Sequence, residues 1–257
     1  MNLNSDRFVP KKDNKNTFYF EHLQRYDFSA RFIKGKIILD LGCGSGYGSR
    51  RLLDHKAKSV VAVDIDPKII NFAKKNYPHK KLSFQVANAT KLSFRDSKFD
   101  VVVSFEVIEH VKDYPKYIQE VLRVLKPKGQ FIFSTPNKLK HRANTSAYHF
   151  KEFTPLELNK LFRKYPCQFK LFGQFFKSQD FIEAEEEYFK RYNNITFGGN
   201  KNIKKLLNII PSKLKASLYK IFWKPLPQLD FKQIKIQSKN INEAVSLIGV
   251  VQKNNEI

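Results

Sequence analysis

Three residues of one short segment carry the side chains best suited to chemistry. In Phe105-Glu106-Val107-Ile108-Glu109-His110-Val111, two carboxylates and an imidazole stand at i, i+3 and i+4, which on a helical turn places them on one face. Such a set suits a divalent cation: the oxygens take Mg²⁺ or Mn²⁺, and the imidazole nitrogen extends the choice to Zn²⁺. His149, in Tyr148-His149-Phe150-Lys151-Glu152-Phe153-Thr154-Pro155, is a fourth candidate ligand. Two other assignments stay open. His110 or His149 can act as a general base without metal, or Glu109 and His110 can simply begin and cap a helix.

The second chemistry-bearing stretch is Lys36 to Ser49, KIILDLGCGSGYGS. An apolar run, Ile37 to Leu39, ends in Asp40 and passes at once into glycines at 42, 44, 46 and 48, then into a helix-like segment. Strand, glycine turn and helix start make a place where backbone approaches a ligand closely and free N–H groups favour a polar or anionic group. A dinucleotide fingerprint is excluded, because the third glycine position falls on Tyr47 or Ser49. A phosphate-cradling P-loop is excluded too, because Gly-Lys-Ser/Thr is missing. Absent a ligand, the stretch is a glycine turn that joins strand to helix.

LDLGCGSG resembles the first motif of class I S-adenosylmethionine-dependent methyltransferases. The resemblance implies that Asp40 and the loop of Gly42, Cys43, Gly44 and Gly46 hold the amino-acid end of S-adenosylmethionine. A second apolar strand, Ser59 to Asp64, also ends in an acid. The resemblance makes Asp64 the acceptor for both ribose hydroxyls, with Ile65 next to it in the cofactor site. Relatives carry an acid where Asn88 stands; here its amide oxygen would accept from the adenine amino group, with Ala89 alongside. Ser104, at the end of the fourth strand, completes the cofactor set. Tyr19, His22 and Tyr26 are either further contacts or core aromatics with a surface histidine.

EVIEH, STPN and HFKEFT resemble two branches of that family. In small-RNA 3′-end 2′-O-methyltransferases, two glutamates and two histidines hold a metal, and the matching residues here are Glu106, Glu109, His110 and His149. In bacterial methyltransferases of glycan and quinone biosynthesis, EVIEHV followed by STPN is common. Both branches methylate hydroxyls. The YHFKEFTPLEL segment, common in glycan-associated relatives, directs the expectation to a sugar hydroxyl of a cell-surface glycan or lipid-linked precursor. Ribose 2′-hydroxyls of RNA and quinone-type or other small-metabolite hydroxyls are the alternatives. A nucleic-acid-binding module on a degenerate cofactor fold is a further one, opposed by the intact Asp40, glycines and Asp64.

The positioning elements follow from periodicity. A helix over Phe18 to Phe32 precedes the first strand, and helices near Tyr47 to His55, Lys68 to Lys75 and Tyr114 to Lys126 alternate with strands at Ser59 to Asp64, Leu82 to Val86, Phe99 to Ser104 and Gln130 to Ser134. Alternation of this kind predicts an α/β fold: a Rossmann-like doubly wound sheet, mostly parallel. Thr154, Pro155 and Glu157 start a further helix with a capping box. Gln168 to Phe176 and Ala244 to Lys253 read as the last two strands, an antiparallel pair at one edge. The division expected is a core with its N-terminal helix over 1–176, a helical cap over 177–243, and the last core strand and tail over 244–257.

The formal net charge of +23 suits an anionic partner, whether nucleic acid, membrane surface or acidic glycan. Lys190 to Lys239 holds 12 basic residues against one acid, Asp230. Ile203, Leu206, Leu207 and Ile210, then Leu214, Leu218, Ile221 and Phe222, recur at helical spacing in that stretch. Such helices pack on the core or lie on an anionic membrane. With no long apolar run and no signal-peptide core near the N-terminus, the expectation is a cytoplasmic protein, peripheral at most to the inner membrane face. The two cysteines, Cys43 and Cys167, give neither a disulfide framework nor zinc spacing.

Overall fold

The computed structural model describes residues 17–140, 149–178, 183 and 234–255. In chain order they form α1 (Thr17–Ile33), β1 (Ile37–Leu41), α2 (Tyr47–Asp54), β2 (Ser59–Asp64), α3 (Pro67–Asn76), β3 (Leu82–Val86), β4 (Phe99–Phe105), α4 (Tyr114–Val124), β5 (Leu125–Pro136), α5 (Pro155–Phe162), β6 (Cys167–Phe176), β7 (Ile234–Gln237) and β8 (Ser246–Lys253). Short 3-10 turns occupy Ile108–His110 and Ile241–Glu243. These eight strands share one sheet in the order β3-β2-β1-β4-β5-β8-β6-β7. The first five pair in parallel, and β8 runs antiparallel to both β5 and β6. This is the expected Rossmann-like architecture.

Apolar side chains fill both faces of the sheet, which is why its central strands read as continuous apolar runs. On one face Ile38, Val60, Val101 and Val103 pack with Tyr26 and Phe28 of α1, Leu52 of α2 and Ile70 of α3. On the other, Leu39, Val102, Phe131 and Phe133 pack with Tyr117, Ile118 and Val121 of α4 and Leu158 and Phe162 of α5. Local signals set the helix starts. The Asp66 side chain accepts from Lys68 N–H ahead of Pro67, and both halves of the Thr154–Glu157 capping box form, each worth about 1 kcal/mol.

Two expected boundaries change. α4 stops at Val124 because Leu125 already pairs with Phe99, and Lys128, with φ 60°, turns the chain directly into the rest of β5. The β6–β8 pair lies one strand in from the edge, which is β7. Most of the expected cap falls outside the described residues. Its C-terminal end, 234–243, is that edge strand and a 3-10 turn rather than helix. The sequence hides this strand because four residues of Ile-Lys-Ile-Gln are too short a pattern to stand out.

α1 is bolted to the sheet by a buried polar network. The Arg25 guanidinium, 2% exposed, donates to Gln174 Oε1 (2.9 Å) and Ser246 Oγ (3.0 Å) and pairs with Glu21 (3.4 Å). Gln174 Nε2 donates back to Glu21 O and Gln24 Oε1. Removing one partner from such a buried set costs about 3–5 kcal/mol, because the remaining charge is stranded. Tyr26, one residue on, lies against Gly48: a Cβ there would sit 1.9 Å from the Tyr26 ring. Gly48→Ala is therefore expected to lower the unfolding free energy by about 1–3 kcal/mol. Urea titration of Gly48→Ala, Tyr26→Ala and the double variant checks this; additive losses would show that the two residues do not collide.

Candidate functional site

The crevice opens at the carboxyl ends of β1, β2 and β4, where a doubly wound sheet reverses its strand order. Its glycines have separate tasks. At Gly44, with φ 52°, a methyl group in place of the α-hydrogen would meet no atom within 4 Å, so the backbone there is open to a ligand. Gly42 is instead pressed on Val107, and Gly46 on Ala73 and Phe84. The N–H groups of Gly42 and Cys43 both donate to Val63 O (2.8 and 2.9 Å), tying the loop to β2, and the Cys43 side chain is core.

The two strand-end acids differ sharply. Asp64 Oδ2 accepts from Gly44 N–H (3.0 Å) and Oδ1 from Asp66 N–H (3.0 Å); a carboxylate oxygen accepts more than one hydrogen bond, so both can also serve a ligand hydroxyl. Asp40 is fully buried and accepts from Ser49 Oγ (2.6 Å) and Tyr26 Oη (3.3 Å). Its carboxylate therefore locks α1, β1 and α2 together and does not reach a cofactor's amino-acid end by contact. Burial pushes its pKa up to about 7, against the lowering effect of the two hydroxyls.

Ile65 is 62% exposed and Val86 54% exposed. Val86 pairs in register with Asp64, so two bare aliphatic side chains stand at neighbouring strand ends, suited to one face of an adenine. Val86 was not among the sequence candidates; an apolar residue closing an apolar strand carries no signal of exposure. Asn88 is exposed, but its Oδ1 already accepts from Thr90 N–H and Thr90 Oγ (both 2.9 Å). That Asx turn occupies both lone pairs, so the expected acceptance from an adenine amino group does not fit the conformation present. Ala89 packs against the core edge. Ser104 is buried and donates to Leu41 O (2.7 Å), which corrects its assignment to the cofactor set. Tyr26 is core; His22 is half-buried, and burial and the Arg25 charge hold its pKa down at about 3.

Beyond β4 the expected helical face does not form. Glu106 adopts φ 55°, and the turn that follows, Ile108–His110, is a single 3-10 turn. The reversal sends the Glu106 carboxylate to Ser134 Oγ (2.7 Å) and the Arg25 guanidinium (3.1 Å). Glu106 is thereby removed from the expected ligand set. Glu109, His110 and His149 do come together: each offers a ligand atom, and these lie within 4.8 Å of one another. The two imidazole rings meet edge to face at 4.6 Å.

His149 reaches this position because the chain after it docks on the turn, with Phe150 N–H donating to Glu109 O (2.8 Å). Its Nδ1 faces Glu152 Oε1 (2.9 Å). A carboxylate at Nδ1 selects the tautomer that leaves Nε2 as acceptor or ligand. Glu152 was also missed, although its i+3 spacing from His149 is visible in the sequence. The Glu109 carboxyl is wholly buried beside Thr135 and Tyr117, and among the described residues no hydrogen bond of good geometry reaches either oxygen, the Thr135 hydroxyl and the Glu109 N–H approaching it only weakly. Burial, reinforced by Glu106, drives its pKa well above the usual carboxylate range. A buried carboxyl so poorly partnered is costly and fits a cation-binding group. Two ligands about 2.1 Å from one ion lie at most about 4.2 Å apart, so the three groups have to draw closer together to share an ion.

With this geometry in view, the comparisons are specific. Residues 39–133 match a family model described as a methyltransferase domain. That stretch is similar to a methyltransferase domain, and the curated relatives it resembles are described as S-adenosylmethionine-dependent. A probable S-adenosylmethionine-dependent methyltransferase of Mycolicibacterium smegmatis is 31% identical over 163 residues, covering 62% of this chain and 62% of that protein. The chain thus spans about three fifths of that relative's length. A ubiquinone biosynthesis O-methyltransferase of Coxiella burnetii is 34% identical over 108 residues, 41% of this chain and 46% of that one. The YcgJ protein of Bacillus subtilis superimposes with a TM-score of 0.58 at 17% identity, over 92% of this chain and 99% of that chain, showing a shared fold.

The domain's stability should carry the mark of Asp40. A raised folded-state pKa gives stability that is fully present below the ordinary value of 3.8 and is lost as pH rises through about 7. His22 acts in the opposite sense, its contribution being lost as pH falls from 6.5 toward 3. In urea titrations from pH 4 to 8, wild type is expected to lose on the order of 2–4 kcal/mol relative to Asp40→Asn as pH rises. A pH-independent difference would refute the buried-acid assignment.

Proposed function

We propose that the protein is an S-adenosylmethionine-dependent O-methyltransferase whose acceptor is a hydroxyl, a sugar hydroxyl of a glycan or its lipid-linked precursor being the foremost candidate. The observation that carries this reading is the buried, poorly partnered Glu109 carboxyl set against His110 and His149 at the end of β4. A hydroxyl must lose its proton as it is methylated, and a base or cation at this position can take that proton or lower the hydroxyl's pKa.

When bound, S-adenosylmethionine supplies a methyl group on a positively charged sulfur. Gly44 and Asp64 would hold its polar parts, and Ile65 and Val86 would cover its adenine. Glu109, His110 and His149 would hold a divalent cation, Mg²⁺, Mn²⁺ or Zn²⁺, which would act there as a Lewis acid on the acceptor oxygen. Where no cation is bound, His149 is arranged for a proton instead. With Glu152 on Nδ1, its Nε2 can take the hydroxyl proton, and the carboxylate steadies the imidazolium. His149 sits 14% exposed and Glu152 13% exposed, so little water competes for that proton. A quinone-type phenol is the second reading, favoured by the similarity to the Coxiella burnetii ubiquinone biosynthesis enzyme.

No helix among the described residues is long and apolar enough to cross a membrane. A lipid-linked acceptor would therefore be met from the bilayer surface by the described part of the chain.

Ile65→Ser, at an exposed position, should leave stability within about 0.5 kcal/mol and weaken S-adenosylmethionine binding several-fold in calorimetry; unchanged affinity would remove Ile65 from the cofactor site. For the acceptor, labelled methyl transfer is measured with sugars, RNA ends and catechols, each with and without added metal. Glu109→Gln is expected to abolish metal stimulation, and Glu152→Gln to shift the pH–rate profile. Transfer to amines alone would overturn the O-methylation reading.

A further inference from the structure

The sheet's other end carries a second concave surface. A recess of about 620 Å³ lies where β1, β2 and β3 begin, lined by Arg50, Lys56, Lys58, His79, Lys80 and Lys81. Asp54, the one acid on its wall among the described residues, is already paired with Arg50 (3.2 Å). Five permanent cations around one recess are mutually repulsive, and a concave surface focuses their field more strongly than a flat one.

The walls are tied together rather than loose. Gly35 N–H donates to Lys56 O (2.9 Å), Lys58 N–H to Lys36 O (2.8 Å) and Val60 N–H to Lys81 O (2.9 Å). Lys56 stands at φ 66°, a left-handed geometry that glycine adopts without strain; a lysine there keeps a charge at a conformational cost. The Lys81 N–H donates to His79 Nδ1 (3.1 Å), so a neutral His79 carries its proton on Nε2 as a further donor.

We propose that this recess binds the phosphate backbone of a single-stranded nucleic acid. Exposed basic side chains spread around a concave wall suit a thin, flexible chain of phosphates, which can follow the curvature that a planar membrane cannot. Its lining, among the described residues, includes no phenylalanine, tyrosine or tryptophan, so bases have no stacking platform there and binding is independent of sequence. The six residues of β2 separate the recess from the methyl-transfer crevice by about 20 Å. It therefore acts as a tether on the opposite end of the sheet, independent of the acceptor's identity.

Fluorescence anisotropy with labelled oligouridine tests this without any methyl-transfer readout. With Arg50 engaged by Asp54, neutralising four phosphates predicts a slope of log K on log salt of about −3. Lys56→Glu/Lys58→Glu/Lys81→Glu is expected to weaken binding at least tenfold at about 50 mM salt and to bring the slope up by about 2. Lys213→Glu/Lys215→Glu/Lys220→Glu, with the same change in charge elsewhere in the chain, is expected to leave the slope as it was. If the first variant misfolds, Lys56→Gly/Lys58→Gln/Lys80→Gln replaces it, since glycine suits the left-handed position. Equal weakening by both charge-reversal variants would reduce the effect to net charge and overturn the assignment. So would wild type failing to bind oligouridine at low salt, or flotation with phosphatidylglycerol vesicles being the only binding lost in the recess variant.

Discussion

A carboxyl group with no access to water holds the crevice in shape. Asp40 closes β1, and its two oxygens are taken by Ser49 from the first turn of α2 and Tyr26 from the middle of α1. Burying an acid is tolerable only when it is hydrogen-bonded or neutral, so α1 and α2 have to arrive together. Their meeting point is narrow: Tyr26 rests on Gly48, where no larger residue fits. Once those helices are fixed, the glycine loop between β1 and α2 has few conformations left, and Asp64 pins it further through the Gly44 N–H. The open backbone at Gly44 is thus held in place from below by Asp40, Tyr26 and Ser49, all buried away from the crevice, and from the crevice side by Asp64.

The same helix links the glycine loop to the turn after β4. From α1, Tyr26 reaches Asp40 while Arg25 reaches Gln174, Ser246 and Glu106. Glu106 is the residue whose left-handed backbone reverses the chain after β4, and the 3-10 turn that follows presents Glu109 and His110. The buried guanidinium therefore contributes to the geometry of the candidate site at one remove, by fixing where the turn begins. Strain of about 1 kcal/mol or more at a non-glycine φ of this kind survives only where the surroundings over-determine it; here Ser134 binds both the backbone and the carboxylate of Glu106.

Charge is partitioned along the sheet. The carboxyl ends of the strands carry acids and histidines, with Asp64, Glu109 and His149 around the crevice. The amino ends of β1, β2 and β3 carry lysines at positions 58 and 81 and at the loop residue 56. Helices on both faces keep the two ends apart and the core between them apolar. The large positive charge of the chain is thus not spread evenly over the described residues, and its concave concentration is remote from the chemistry.

The sequence by itself determined the parallel sheet, the glycine loop after β1 and the second strand-end acid. These are local: a continuous apolar run, a glycine series and an N-cap with proline each act within a few residues, so β2 and β3 appear with the bounds the pattern predicts. It also named Glu109, His110 and His149, two of them neighbours in sequence. What only the tertiary structure decided was which polar atoms are still available. Asn88 spends its oxygen on Thr90, Ser104 its hydroxyl on Leu41 and Asp40 its carboxylate on two helices, while Glu106 turns to Arg25. Spacing places a side chain on a face only if the backbone is regular, and the positive φ at Glu106 breaks that condition. The partners that claim a hydrogen-bonding group lie up to dozens of residues away, and their claim is settled by packing, to which a one-dimensional pattern is blind.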